Sequence, residues 1–174
     1  PHNPVGRVWT REEMEKVAKI CLKYNVVWMV DEMHCDFIFP GHEFTSCMNL
    51  DKKFHEIIAL YSSPGKTFNV AGLQPANIII PNEELRKKYQ WANTQAAYSQ
   101  GSLMGQLAVK VCYTKGADWV DELVEYIYEN IRYMSQYVKE NFPKAKMVEP
   151  EGTYLVWVDF SGYGFSNEEL EHLM

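Results

Sequence analysis

No run of apolar residues in this 174-residue chain approaches the roughly 18 that span a bilayer, and no charged-then-apolar leader opens it. A soluble, cytoplasmic protein with no membrane partner is the expectation. The four cysteines, Cys21, Cys35, Cys47 and Cys112, include no CxxC pair, which leaves neither a zinc pattern nor a disulfide framework. Free, mostly buried thiols in a reducing compartment are expected instead. Positive charge is also short: 17 Lys and Arg stand against 23 Asp and Glu, a net charge of −6 with no basic stripe. Phosphate neutralisation needs clustered cations, so nucleic acid is excluded as the main partner. There is no internal repeat, no low-complexity tract and no methionine at the start. Opening on Pro1-His2-Asn3-Pro4 and stopping at Met174, soon after a helix start at Ser166-Asn167-Glu168-Glu169, the chain reads as a segment of a longer protein. What it does have, 47% hydrophobic and 14% aromatic residues, belongs to a folded chain able to bury a sizeable core.

Asn3-Pro4-Val5-Gly6 is turn chemistry. Thr10 and Glu13 then make a capping box ahead of Met14, Val17, Ala18, Cys21 and Tyr24, which share one helical face and predict a helix ending near Asn25. The apolar run Val26 to Val30, closed by Asp31, has the pattern of a parallel strand covered on both faces. A loop over 40–53 leads to a second strand at Ile57 to Tyr61. A third buried strand, Ala76 to Ile80, follows too closely for a helical crossover and should run antiparallel. Asn82 caps one helix, a further helix is predicted from Ser102 to Tyr113, and the longest from Asp118 to Asn141. On that last helix Val120, Leu123, Val124, Ile127, Ile131, Met134 and Val138 keep the spacing of one buried face, and its acidic residues form the solvated one. Residues 1–141 are thus α/β, a mostly parallel sheet with one antiparallel strand and helices packed on it. Residues 142–174 begin a smaller α+β domain, with strands at Met147 to Glu149 and Thr153 to Asp159 around the turn Pro150-Glu151-Gly152.

Lys66 lies in the loop Ser62 to Leu73, at the carboxyl end of the second strand, where open α/β sheets place their ligands. Three readings compete for it: a Schiff-base lysine for a cofactor, a phosphate-loop lysine, and a solvated charge. A phosphate loop needs a glycine five positions before Gly65, where Leu60 stands, and Pro64 removes one of the amides that would cradle phosphate. His34, Cys35, Asp36 and His42 match no zinc spacing. His2, His55 and His172 read as surface residues, and Trp28, Trp91, Trp119 and Trp157 as core packing.

Three stretches remain: Pro1-His2-Asn3-Pro4 with Gly6; Asp31-Glu32-Met33-His34-Cys35-Asp36; and Ser63-Pro64-Gly65-Lys66-Thr67-Phe68-Asn69 with Ala71-Gly72-Leu73. Asn3 stands 28 positions before Asp31, and Asp31 stands 35 before Lys66. In order, spacing and context these resemble the fold-type I pyridoxal-phosphate enzymes of the class I/II aminotransferase family, over essentially the whole chain. His34 where many aminotransferases have tyrosine, and the Lys66 run, are similar to the cystathionine β-lyase branch of carbon–sulfur lyases. Two positions depart from the pattern. Gly65 replaces a common serine, and Gln74 replaces a phosphate-binding arginine that many relatives carry.

The resemblance implies pyridoxal 5′-phosphate as cofactor, with Lys66 holding it and serving as catalytic base. It implies Asp31 on the pyridine nitrogen, Asn3 on the phenolic oxygen, His34 at the ring edge or that oxygen, and Ser63 with Ser62 on the phosphate. The implied substrate is a small sulfur amino acid undergoing β-elimination, with transamination as the alternative. It further implies a homodimer in the full-length protein, with an aromatic residue over the ring and a glycine-rich phosphate loop before Pro1. A substrate-carboxylate arginine is expected after Met174. A non-catalytic module that keeps only the fold is the alternative of another class.

Overall fold

The computed structural model describes residues 1–98 and 101–173. Thr10 accepts from the Glu13 amide while the Glu13 carboxylate accepts from the Thr10 amide, and this reciprocal cap starts α1, Arg11–Lys23. Met14 and Ala18 of α1 are buried against Val30, Ile58 and Leu60 of the sheet and against Cys47, Leu50 and Phe54. The last three come from two 3-10 turns that occupy much of the segment expected to be loop, Cys47–Asn49 and Lys52–Glu56, and the residue after the first.

Three strands form the sheet in the order β1 (Trp28–Asp31), β2 (Ile58–Ser62), β3 (Asn77–Ile79). β1 and β2 run parallel with Asp31 opposite Tyr61, and β3 is antiparallel to β2 with Leu60 opposite Ile79. Because β1 and β2 end side by side, the loops that leave them emerge at the same sheet edge. The Glu32 amide still donates to the Tyr61 carbonyl at 2.9 Å as the chain turns away. This parallel pairing brings the Asp31 and Lys66 loops together.

Asn82, accepting from the Glu84 and Leu85 amides, starts α2 (Glu83–Gln95), and Ser102 starts α3 (Leu103–Lys115). The longest helix, α4 (Ala117–Asn141), buries Ile131, Ser135 and Val138, while Met134 is exposed. β4 (Lys146–Val148) and β5 (Trp157–Asp159) make a separate antiparallel pair, and α5 (Asn167–Leu173) follows.

Several expectations about burial and extent need correcting. Met29 is 67% exposed and Val26 and Val27 are exposed too; among the described residues β1 is covered on the Trp28 and Val30 side, by α1. The β3 strand is half-buried with Ile79 exposed, and Trp91, Trp119 and Trp157 are exposed rather than core. Of the thiols only Cys47 is fully buried; all four are free. Residues 153–156 are not strand. That segment is drawn away from β4 because its backbone is bonded elsewhere. Gly6 C=O accepts from the Glu151 and Gly152 amides at 2.9 and 3.0 Å, Phe37 C=O accepts from the Thr153 amide at 2.9 Å, and the Phe39 amide donates to Glu151 C=O at 3.0 Å. Gly6, at φ +80°, is required there: a Cβ would stand 2.5 Å from Pro150 Cβ and 2.8 Å from Gly152 O.

Candidate active site

Each polar side chain of the stretch from Asp31 to Asp36 has a different partner. Asp31 Oδ1 accepts from the Met33 amide at 2.9 Å, closing the turn that ends β1. Glu32 is buried, and its carboxylate accepts from Ser46 Oγ at 2.9 Å and from the Cys47 amide at 2.8 Å, fixing the loop beneath. His34 is buried with Nδ1 2.8 Å from Thr153 Oγ1 and its ring centroid 5.3 Å from that of Tyr154. Asp36 Oδ2 accepts from the Thr67 hydroxyl at 2.6 Å. Thr67 is itself buried and adjoins Lys66, so this bond ties the lysine loop to the loop after β1.

The lysine loop is further held by Ser63. Its buried hydroxyl donates to the Pro75 carbonyl and accepts from the Gly65 amide at 2.9 Å. Carbonyls of Pro64 and Gly65 then accept from Phe68 and Val70 at 2.9 and 3.0 Å. The wound loop leaves Lys66 exposed while both its neighbours, Gly65 and Thr67, are buried.

A cavity of about 530 Å³ opens at this edge of the sheet, and Asn3, Asp31, His34 and Lys66 all line it. His2 lines it as well, exposed and edge-on to Trp9 at 6.1 Å, which the surface reading of His2 did not foresee. Ser63 is not among the lining residues; its hydroxyl is spent on the turn. Among the described residues no group of histidines, cysteines and carboxylates could hold a metal ion. His42 Nδ1 instead lies 4.0 Å from the Glu151 carboxylate.

Electrostatics at the cavity follow from burial. Desolvation holds the His34 pKa below its ordinary value, the positive charge of Lys66 acts the same way, and Asp31 opposes them. The His34 ring is therefore neutral at neutral pH. Burial, with the charges of Asp36 and Glu32, pushes the Cys35 thiol up to about 12, so Cys35 is not a thiolate nucleophile.

The donor set suits the ring and aldehyde end of pyridoxal 5′-phosphate: an amine for a carbonyl, a carboxylate for a protonated ring nitrogen, and amide and imidazole groups for a ring oxygen. Glu32, Asp36, Thr67 and Thr153 escaped sequence reasoning as parts of this arrangement. Asp36 and Thr67 sat inside the motifs, but their mutual bond spans 31 residues; Thr153 is 119 residues from His34, and no local pattern marks it.

Comparison with known proteins bears on this geometry. The model of the family "aminotransferase class I and II" matches residues 1–172. Cystathionine beta-lyase PatB of Bacillus subtilis is 38% identical over 174 residues, 100% of this chain and 45% of that protein. Cystalysin of Treponema denticola, whose crystal structure contains a pyridoxal 5′-phosphate cofactor, superimposes with a TM-score of 0.96 at 34% identity, over 100% of this chain and 44% of that one. Kynurenine–oxoglutarate transaminase 3 of Rattus norvegicus is 26% identical over 176 residues, 94% of this chain and 37% of that protein. The chain spans less than half the length of these relatives.

Proposed function

The chain belongs to the class I and II aminotransferase family, and we propose that it forms part of a pyridoxal 5′-phosphate enzyme that eliminates a thiol from Cβ of a sulfur amino acid such as cystathionine. The observation that carries this is the meeting of Asn3, Asp31, His34 and Lys66 on one cavity. Further support comes from the cystathionine β-lyase and the cystalysin that the chain resembles.

The cofactor, when bound, supplies an electron sink for the charge left at Cα once its proton is removed. The protein's own groups divide the remaining work. Lys66 Nζ would hold the cofactor and would serve as the general base that takes the Cα proton. The Asp31 carboxylate would keep the ring nitrogen protonated, and the Asn3 amide would donate to the phenolic oxygen. His34, neutral and packed against Tyr154, would support either the cofactor's ring edge or that oxygen. Ser63 acts on Lys66 indirectly, by holding the turn that precedes it. Residues 1–141 would be part of a large cofactor-binding domain, and 142–174 the beginning of a smaller one. With less than half the length of its relatives, the segment alone should bind cofactor weakly and turn over little; the activity belongs to the full-length protein, expected as a homodimer.

Transamination is the second reading, favoured by the likeness to a kynurenine–oxoglutarate transaminase. The two separate by product. Given cystathionine, the full-length enzyme should release pyruvate and ammonia in step with thiol. Amino-group exchange with an added 2-oxo acid, without thiol release, would overturn the elimination reading.

A further inference from the structure

Thr153 and His34 make a polar contact between the far ends of the chain, at the cavity. Thr153 is fully buried, and His34 Nδ1, at 2.8 Å, is the only hydrogen-bond partner of its hydroxyl among the described residues. Two proton arrangements are open to the pair. If Nδ1 carried the ring proton and donated to the threonine, the hydroxyl hydrogen would be buried without an acceptor, which native interiors avoid. If the hydroxyl donates to Nδ1, the buried hydroxyl hydrogen is paired and the ring proton resides on Nε2. Nε2 has no protein partner among the described residues, and no buried side-chain nitrogen or oxygen there lacks one. Nε2 is therefore the open nitrogen of a residue that lines the cavity.

The backbone is built to hold this contact. Thr153 sits at φ +65°, a region that a β-branched residue rarely enters. It is kept there by its amide's bond to Phe37 C=O and by Gly152, where a Cβ would run into the same carbonyl and into Pro1. Strain that surroundings over-determine in this way is typical of positions with a functional task.

We propose that Thr153 is a positioning residue of the site: its hydroxyl donates to His34 Nδ1 and fixes the Nε2–H form of the ring, so that a neutral hydrogen-bond donor faces the cavity. The role rests on the reading of that cavity as a cofactor site, where the donor meets an oxygen acceptor of the bound group.

The protonated nitrogen is read directly by two-bond proton–nitrogen correlation on full-length protein with ¹⁵N-labelled histidine, before cofactor is added, with His34→Gln identifying the signal. Wild-type His34 should appear as Nε2–H. Thr153→Val, which keeps the branched shape without the hydroxyl, should give a mixture with several-fold more Nδ1–H, and Thr153→Ser should restore the original pattern. A wild-type ring in the Nδ1–H form overturns the proposal without any variant, and so does an unchanged pattern in Thr153→Val. In a second arm, pyridoxal 5′-phosphate is titrated: Thr153→Val should bind roughly tenfold more weakly and Thr153→Ser normally, the scale of one hydrogen bond. Equal binding by Thr153→Val overturns the positioning role. If no variant or wild type binds cofactor while the ring is Nε2–H, the cofactor reading fails and the Thr153-to-Nδ1 bond stands.

Discussion

His34 couples pH to the fold at the cavity wall. Its folded pKa lies below the ordinary 6.5, with burial the largest cause. As pH falls, the unfolded ring takes up a proton before the folded one does, so the unfolded state binds more protons and stability declines. The contribution is fully present above about pH 6.5, is lost as pH drops through the folded pKa, and then levels off. Thermal unfolding of wild type against His34→Gln should therefore show a gap in Tm that changes between pH 7.5 and 5 and is constant above; a gap independent of pH would show that His34 is not held neutral. Cys35 tests the same physics with the opposite sign. A thiol pushed up to about 12 is almost wholly protonated at pH 8.5, so its alkylation by iodoacetamide should be at least roughly tenfold slower than that of a small model thiol. Alkylation at the rate of the model thiol would contradict the buried, anion-flanked setting. On the proposed role of Lys66 as base, Lys66→Ala in the full-length protein should lower turnover by about 10²–10⁴-fold or more, measured by pyruvate release.

Among the elements, the parts readable in advance are those fixed within a few residues. The Thr10–Glu13 cap, the Asn82 cap and the α4 spacing are local signals, and the helices begin within about two residues of where those signals place them. Antiparallel β3 followed from a connection too short for a crossover. What sequence could not convey is what lies against an element. The run Val26 to Val30 reads as buried on both faces because its residues are apolar, yet the Met29 face has no cover among the described residues. Thr153 reads as strand because it opens a β-branched and aromatic run, yet amide bonds to loops over a hundred residues away capture it instead. The Asn82 cap, which also donates from Nδ2 to the Glu56 carboxylate at 2.8 Å, offers a direct check. Asn82→Ala should cost about 1 kcal/mol in urea unfolding, the usual size of a lost N-cap. No measurable cost would mean that packing, not the cap, sets the start of α2.

For the whole molecule, the legible part of the site was its chemistry rather than its scaffolding. Asn3, Asp31 and Lys66 are marked by their spacing and places at or after strand ends and His34 by resemblance, and parallel pairing of β1 and β2 brings the Asp31 and Lys66 loops to one edge. Ser63 was assigned to phosphate by resemblance, whereas its hydroxyl is engaged by Pro75 and Gly65. Glu32, Asp36 and Thr67, which hold the loops, are ordinary polar residues until their partners are seen. The segment also carries large exposed apolar side chains, with Met29 and Trp91 at 67% and Leu103 at 78%, so it is best tested by a method that registers brief cofactor occupancy. Such a method is borohydride reduction in the presence of pyridoxal 5′-phosphate, followed by peptide mapping of the modified lysines. Lys66 should carry the cofactor far more often than any surface lysine, and Asp31→Ala should reduce that preference. Modification spread over Lys16, Lys19, Lys87 and the other exposed lysines, with Lys66 no more labelled than they are, would contradict the assignment of Lys66 as the cofactor-binding amine.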